Sequence, residues 1–214
     1  MVGFDLDTRR WSTTSSSGVV DLPELEGNLS TRDADLVSAA SDFGHHVHRR
    51  PLAVLYPRSA ADVAMIVRFG RSCGLEVTPR GQGHSVDGQA QIRDGIVVDL
   101  STLAAIGQSG PDRISVDAGA TWRAVLDASV PGGLAPPVLP DYLRLSVGGT
   151  LAAGGISGAS HQHGCVADNV YDLDVVTSDG EFRSCSQTRH AELFDAVRGT
   201  QGQHGIITRA SVAL

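Results

Sequence analysis

The chain has 214 residues, of which 41% are hydrophobic and 19% charged, and its formal net charge is -7. This length suits one large domain or two small ones. The acidic balance, without a Lys/Arg stripe and interleaved aromatic residues, argues against a nucleic-acid-binding protein. No apolar run is long enough to predict a membrane span.

The cysteines and the N-terminal arginines bear on the compartment. Cys73, Cys165 and Cys185 are widely spaced and predict neither a disulfide framework nor a CxxC metal pair. A reduced, cytoplasmic setting is therefore expected. Arg9-Arg10 is followed by polar residues rather than an apolar segment, which argues against a secretory signal peptide.

The first third of the chain is predicted to form a small parallel β-α-β lobe. Residues 1–30, which are Ser/Thr-rich around Ser12 to Ser17, are expected to be an irregular arm. Ser59 with Asp62 fits a capping box, and Gly74 fits a helix C-cap. The predicted elements are, in chain order, a helix over 31–42, a strand over 53–56, the capped helix, and strands over 75–78 and 96–99.

The remainder is predicted to form a larger, mixed lobe. Ser178-Asp179-Gly180 lies between two apolar runs and indicates a hairpin. The alternation of His161, His163 and Cys165 is typical of one face of a strand. The other predicted elements are a strand over 114–117, a helix over 122–129, a Pro/Gly connection over 131–140, strands over 170–176 and 182–185, a helix over 191–197 and a strand over 205–214.

Glycine is the one unusual feature of the composition. The chain has 25 glycines, and they cluster in residues 81–88, 148–158 and 199–205. Such clusters suggest several loops that approach one ligand closely, because glycine leaves no side chain between backbone and ligand. A set of ordinary tight turns is the alternative.

The first glycine cluster places one histidine in the loop Arg80-Gly81-Gln82-Gly83-His84-Ser85-Val86-Asp87-Gly88-Gln89. A loop of this kind can turn several N–H groups onto a pyrophosphate. Val86 stands where the dinucleotide fingerprint requires its third glycine, so a Rossmann site is not predicted. The segments around Ser85 and Ser157 also miss the G-x-S-x-G elbow of serine hydrolases. His84 is either held against the ligand or an ordinary loop histidine.

Five segments in register resemble the FAD-binding domain of the vanillyl-alcohol oxidase/p-cresol methylhydroxylase (PCMH) type, over roughly residues 40–214. The first is the Arg-Gly-x-Gly-His-Ser loop. The segment that runs from Asp141-Tyr142-Leu143-Arg144-Leu145-Ser146 through Gly158 is most similar to the cytokinin dehydrogenase and berberine bridge enzyme-like branches. The other segments are Tyr56-Pro57-Arg58-Ser59, Val98-Asp99-Leu100-Ser101 with Val116 to Trp122, and Leu193 to Thr208.

The resemblance implies an α+β fold, a two-lobed PCMH-type FAD-binding domain with a small parallel βαβ lobe and a larger mixed or antiparallel lobe. Residues 1–39 would be an N-terminal arm and helix. Residues 40–214 would be the FAD-binding domain, with lobes of about 40–105 and 106–214. The substrate-binding domain of the family is missing from this sequence.

The resemblance also assigns roles to individual residues. His84 occupies the position that bonds covalently to the 8α methyl group of FAD, a carbon that an imidazole nitrogen can attack. A related branch of the family attaches the flavin a second time, through a cysteine before the second glycine cluster; this chain has no cysteine between Cys73 and Cys165, so the resemblance implies a single histidyl bond. Asp141 matches the catalytic base of the cytokinin dehydrogenase branch, although an aspartate after proline also suits a plain turn. The implied cofactor contacts are Gly81, Gln82, Gly83, His84, Ser85, Gln89, Asp141, Ser146, Gly149, Ala152, Ile156 and Ile206.

The resulting hypothesis is an FAD-dependent oxidoreductase that takes hydride from a C–H next to an amine or hydroxyl of a small-molecule substrate. The alternative is a non-catalytic flavin-binding or electron-transfer module, which needs a partner chain or a second copy of itself to cover the flavin. Neither nucleic acid, membrane nor metal is an expected partner. A weaker third hypothesis is a metal hydrolase built on His161, His163 and Cys165, a set that lacks a fourth ligand.

Overall fold

The structure is a computed structural model that describes residues 3–12 and 19–214. It divides into two compact units. Unit 1 consists of Met1–Pro79 and Gly83–Asp99, and unit 2 consists of Arg80–Gln82 and Leu100–Leu214. The domain boundaries expected from the sequence, near residues 40 and 105, stay a prediction.

In the part of unit 1 that the structure describes, there are two sheets and two α-helices. Its elements are β1 (Gly3–Asp5), β2 (Arg10–Ser12), β3 (Val19–Asp21), β4 (Asn28–Ser30), α1 (Asp33–Ala39), β5 (Ala53–Tyr56), α2 (Ala60–Cys73), β6 (Val77–Arg80) and β7 (Ile96–Asp99). The larger sheet has the order β4-β5-β7-β6, in which β5 and β7 are parallel. The sequence predicted a parallel sheet, but β4 runs antiparallel to β5, so the sheet is mixed.

Helix α2 begins and ends where its capping residues predict. The Ser59 hydroxyl accepts the Asp62 N–H at 3.4 Å, and Gly74 ends the helix in the left-handed region at φ 68°. The Asp62 side chain does not complete a capping box. It is fully buried and accepts three backbone N–H groups at 2.8–2.9 Å, those of Glu26, Gly27 and Arg58.

The prediction of an irregular N-terminal arm is wrong for the described part of residues 1–30. Three antiparallel strands, β1, β2 and β3, form a small sheet there. The Trp11 ring is 2% exposed and lies 4.6 Å from the ring of Phe4, which is 6.2 Å from that of Phe69 in α2. Residues 13–18, most of the Ser/Thr-rich run, lie outside the described residues.

Unit 2 is built on one antiparallel sheet of order β11-β10-β12-β9-β8. Its strands are β8 (Ile106–Ser109), β9 (Arg113–Asp117), β10 (Val170–Val176), β11 (Phe182–Ser186) and β12 (Ile206–Ala213). Its helices are α3 (Trp122–Ser129), α4 (Val147–Ala153), α5 (Ser160–His163) and α6 (Ala191–Val197). β12, which lies at the centre of the sheet, is the last of these five strands along the sequence.

The predicted elements of unit 2 agree with the structure in most places. The bounds of α3, β10 and α6 are those predicted, and Thr177 and Glu181 close the predicted hairpin through a 3.0 Å backbone bond. Strand β8 and helices α4 and α5 were not predicted. The strand-like reading of residues 161–165 is wrong, because the His163 N–H donates to the carbonyl of Ala159 and closes a short helix.

Helices and mixed sheets together give the α+β class expected from the sequence. The hydrophobic core of unit 1 includes Leu55, Ile66 and Val97, and that of unit 2 includes Trp122 and Leu173. In the described ranges, no helix combines the length and the apolar character needed to cross a bilayer.

Candidate cofactor site

The histidine loop of unit 1 follows strand β6. Gly83 and Gly88 adopt φ values of 69° and 77°, which glycine reaches without strain, and the backbone bends before and after His84. His84 and Ser85 are half-buried. The half-buried Gln89 bonds within the loop, where its Oε1 accepts the Asp87 N–H at 3.0 Å.

A short segment after α1 contacts this loop along its length. The Phe43 N–H donates to the carbonyl of Gly83 at 2.9 Å, and the Gly44 N–H donates to the carbonyl of Ser85 at 3.3 Å. The rings of Phe43 and His84 are stacked, with centroids 4.8 Å apart and planes inclined by 15°. We call residues Asp42, Phe43 and Gly44 the clamp.

Asp42 is the buried part of the clamp, with 3% of its surface exposed. Its Oδ2 accepts the Ser85 hydroxyl at 3.0 Å and the Gly88 N–H at 2.8 Å. Burial by itself raises the pKa of Asp42, but the hydrogen bonds from Gly88 and Ser85 outweigh it and hold the pKa below 3.8. The carboxylate is therefore ionised at neutral pH and binds the loop on the C-terminal side of His84.

The clamp was missed in the sequence analysis. Asp42 was predicted to be the last residue of a helix, and Phe43 and Gly44 fall between that helix and the next predicted strand, where they suggest only a turn. The sequence carries one signal, which is that glycine at position 44 leaves no side chain. A Cβ on Gly44 would lie 2.0 Å from the carbonyl oxygen of Val86.

Unit 2 brings three predicted residues into contact. Ser146 precedes α4 and is 3% exposed. A Cβ on Gly81 would lie 2.1 Å from the Ser146 Oγ, and one on Gly149 would lie 2.8 Å from the same atom. A side chain at position 81 would therefore displace the Ser146 hydroxyl from its place. Gln82, beside Gly81, is exposed.

Buried hydrogen bonds hold Ser146 in place. The Thr150 hydroxyl donates to the carbonyl of Ser146 and accepts the Trp122 Nε1–H, both at 2.9 Å. In addition, the backbone N–H groups of Val147 and Gly148 donate to carbonyls of the segment that follows β9, each at 2.8 Å. A helix of low intrinsic propensity is therefore fixed by its surroundings.

The remaining predicted residues of unit 2 occupy different environments. Asp141 is exposed. Ala152 is half-buried, and its carbonyl accepts the Gln201 N–H at 2.7 Å. Ile156 is 77% exposed, whereas Ile206 is 6% exposed at the start of β12.

The three residues of the metal-hydrolase hypothesis do not lie on one face of a strand. His161 and His163 are exposed on helix α5, where the Nδ1 of His161 lies 2.9 Å from the carbonyl oxygen of Gly158. Cys165 lies beyond the end of that helix. Over residues 3–12 and 19–214, no three His, Cys, Asp or Glu side chains are grouped so that they could hold a metal ion.

The glycine loop carries backbone N–H groups of the kind that bind a pyrophosphate such as that of FAD. Within the described residues, the N–H groups of Gly81, Gln82 and Gly83 donate to no protein acceptor. Successive backbone N–H groups in a turn form an anion-binding surface. The loop can therefore hold a phosphate group without losing a hydrogen bond of its own.

A family model described as "FAD binding domain" matches residues 51–186. An uncharacterized oxidoreductase of the fasciation locus of Rhodococcoides fascians is 42% identical over 190 residues, which are 89% of this chain and 43% of that protein. Cytokinin dehydrogenase 5 of Oryza sativa subsp. japonica is 45% identical over 202 residues, which are 88% of this chain and 38% of that protein.

The fold also has a close structural counterpart. The crystal structure of 6-hydroxy-D-nicotine oxidase from Arthrobacter nicotinovorans superposes with a TM-score of 0.81 and 28% identity, over 88% of this chain and 42% of that one. The chain thus spans about two fifths of the length of these relatives. The match confirms the fold class and the resemblance to PCMH-type flavoproteins. The chain belongs to the FAD binding domain family.

Proposed function

We propose that the protein is an FAD-dependent oxidoreductase that binds FAD covalently through His84. It would take hydride from a C–H next to an amine or hydroxyl. Membership of the FAD binding domain family supports the cofactor. The observation that carries the covalent attachment is the half-buried imidazole of His84, stacked on Phe43 within a loop that the Asp42 carboxylate holds.

The attachment is a two-electron oxidation. Bound FAD would supply an electron-accepting ring and an 8α methyl carbon, and replacement of one C–H there by a bond to an imidazole nitrogen would release two electrons and two protons to dioxygen. His84 contributes the nitrogen and loses its N–H proton. The backbone N–H groups of Gly81 and Gln82 would bind phosphate.

Asp141 is the proposed base. Its carboxylate is exposed in unit 2 and can accept a proton from a substrate amine or hydroxyl as hydride leaves the adjacent carbon. The relative named for 6-hydroxy-D-nicotine acts on an amine, which favours the amine donor. The cytoplasmic location stays a prediction that rests on the three free cysteines.

Denaturing electrophoresis of protein produced with FAD tests the attachment. The wild-type band should fluoresce after acid treatment, and its intact mass should include one FAD. His84→Ala should abolish both signals, whereas His163→Ala, which removes an exposed histidine of α5, should keep them. Loss of all flavin from the denatured wild-type protein contradicts the covalent assignment.

A second candidate function is a flavin-binding or electron-transfer module that needs another chain to turn over substrate. Ile156 and Tyr142 of unit 2 are apolar and are 77% and 48% exposed. Their exposure favours a partner chain, or a second copy of this chain, that covers this part of unit 2. Anaerobic mixing with amines or alcohols distinguishes the two. Bleaching of the flavin by the chain alone supports the oxidoreductase, and bleaching only after a partner is added supports the module.

A further inference from the structure

We propose that Phe43 is a positioning residue that orients the His84 imidazole for covalent attachment to FAD. This inference rests on the proposed function, because it concerns the same histidine. It adds a role for a residue that would not itself bond to the cofactor.

The first argument is that Phe43 has no evident role in the core. The side chain is 62% exposed, so burial of apolar surface accounts for little of its position. Its backbone N–H is nevertheless bonded to Gly83, and its ring lies parallel to that of His84 within 15°. An exposed aromatic ring stacked on an imidazole is explained by the orientation that it gives to the imidazole.

The second argument is that the clamp binds the loop on both sides of His84, because the Phe43 N–H donates to Gly83 and its two neighbours bind residues that follow His84. Asp42 accepts from Ser85 and Gly88, and Gly44 donates to Ser85. The clamp therefore fixes the backbone of the loop, while the Phe43 ring contacts the reacting side chain. The two effects can be separated, because removal of the ring leaves the backbone bonds of the clamp intact.

The third argument concerns reactivity. A nucleophile held in one orientation reacts faster than one that samples several rotamers, because the orientation no longer has to be found in the transition state. The stacked Phe43 ring restricts the rotation of the imidazole about its side-chain bonds. We therefore expect Phe43 to affect the rate of attachment and not the affinity for FAD.

The test follows the attachment in time. Full-length protein produced without flavin is mixed with FAD under air, and acid-precipitated flavin is measured at intervals. Phe43→Ala should slow the attachment about tenfold, and Phe43→Tyr, which keeps the stack, should retain the wild-type rate. Phe182→Ala, which removes a 52% exposed phenylalanine from β11 in unit 2, is the matched control and should also retain it.

Two further measurements separate orientation from binding or folding. In a His84→Ala background, Phe43→Ala should leave the dissociation constant of FAD unchanged. In the flavin-free protein, NMR signals of the His84 ring should move downfield in Phe43→Ala, because the ring current of the stacked phenyl is lost.

The outcomes distinguish this inference from the proposed function. If the wild type attaches no flavin, both fail. If the wild type attaches flavin and Phe43→Ala attaches it equally fast, the inference alone fails. It also fails if Phe43→Ala weakens FAD binding in the His84→Ala background by the same factor as it slows attachment, since Phe43 would then be a binding residue.

Discussion

Two glycine-rich regions of the molecule are held in place by different means. The loop of residues 83–88 in unit 1 is bound by an ionised carboxylate, that of Asp42. The segment around Ser146 in unit 2 is held by neutral groups, with the Thr150 hydroxyl between the Trp122 indole and the Ser146 carbonyl. The first arrangement depends in part on the charge of one side chain, beside two backbone hydrogen bonds from the clamp, and the second depends on no charge.

The comparison shows where protonation can act. A hydrogen bond to a carboxylate is stronger than one between neutral groups, but it is lost when the carboxylate is protonated. We therefore expect the histidine loop to weaken in acid while the Ser146 segment is unaffected. Four substitutions test this difference and the packing that accompanies it.

The largest expected effect is that of Gly44→Ala in the clamp. A Cβ there would lie 2.0 Å from a backbone oxygen of Val86, which cannot move without displacing the histidine loop. Overpacking against backbone should lower the free energy of unfolding by about 3 kcal/mol, as measured by urea denaturation. Gly158→Ala, where no atom lies within 4 Å of the added Cβ, is the control and should leave stability unchanged.

Thr150→Val should have the next largest effect, in the neutral region. It keeps the shape of the side chain but leaves the buried Trp122 Nε1–H without its acceptor, which should cost about 2 kcal/mol. Urea denaturation at several pH values should give the same loss at pH 7 and pH 3.5. Thr188→Val, at an exposed threonine, serves as the control. A loss that disappears in acid would contradict the assignment of a neutral network.

Asp42→Asn should cost about 1.5 kcal/mol at pH 7, because the charge-assisted bonds become neutral ones. The folded-state pKa of Asp42 lies below its ordinary 3.8, so its contribution is full above that value and is lost as the pH falls through the folded pKa. The difference between Asp42→Asn and the wild type should therefore shrink in urea titrations below about pH 4.

Ser85→Ala, which removes only the 3.0 Å bond to Asp42, sharpens this test. It should cost about 1 kcal/mol at pH 7, because the bond from Gly88 remains. A penalty for Asp42→Asn that stays constant down to pH 3 would contradict the role of the carboxylate.

The sequence predicted those elements whose ends are determined locally. Helix α2 has its own caps at Ser59 and Gly74, and the hairpin after β10 has its own turn at Gly180. In these places a few consecutive residues contain the groups that fix the structure, so the local sequence pattern is sufficient to predict the element.

The elements that were missed depend on distant partners. Helix α4 is glycine-rich and forms because carbonyls near Ala118 receive its first N–H groups and Gln201 caps its last turn. Strands β1, β2 and β3 have three residues each and exist through their pairing with one another. The clamp likewise joins residues more than forty positions apart, such as Asp42 and Ser85. No local pattern encodes such contacts.

The place of β12 at the centre of its sheet has a consequence for synthesis on the ribosome. β12 pairs with β10 on one side and with β9 on the other. Strands β9 and β10 are therefore not hydrogen-bonded to each other. Until residues 206–213 leave the exit tunnel, the nascent chain exposes two unpaired strand edges. Exposed edges pair with other chains, so we expect the nascent chain to be most prone to aggregation in this interval.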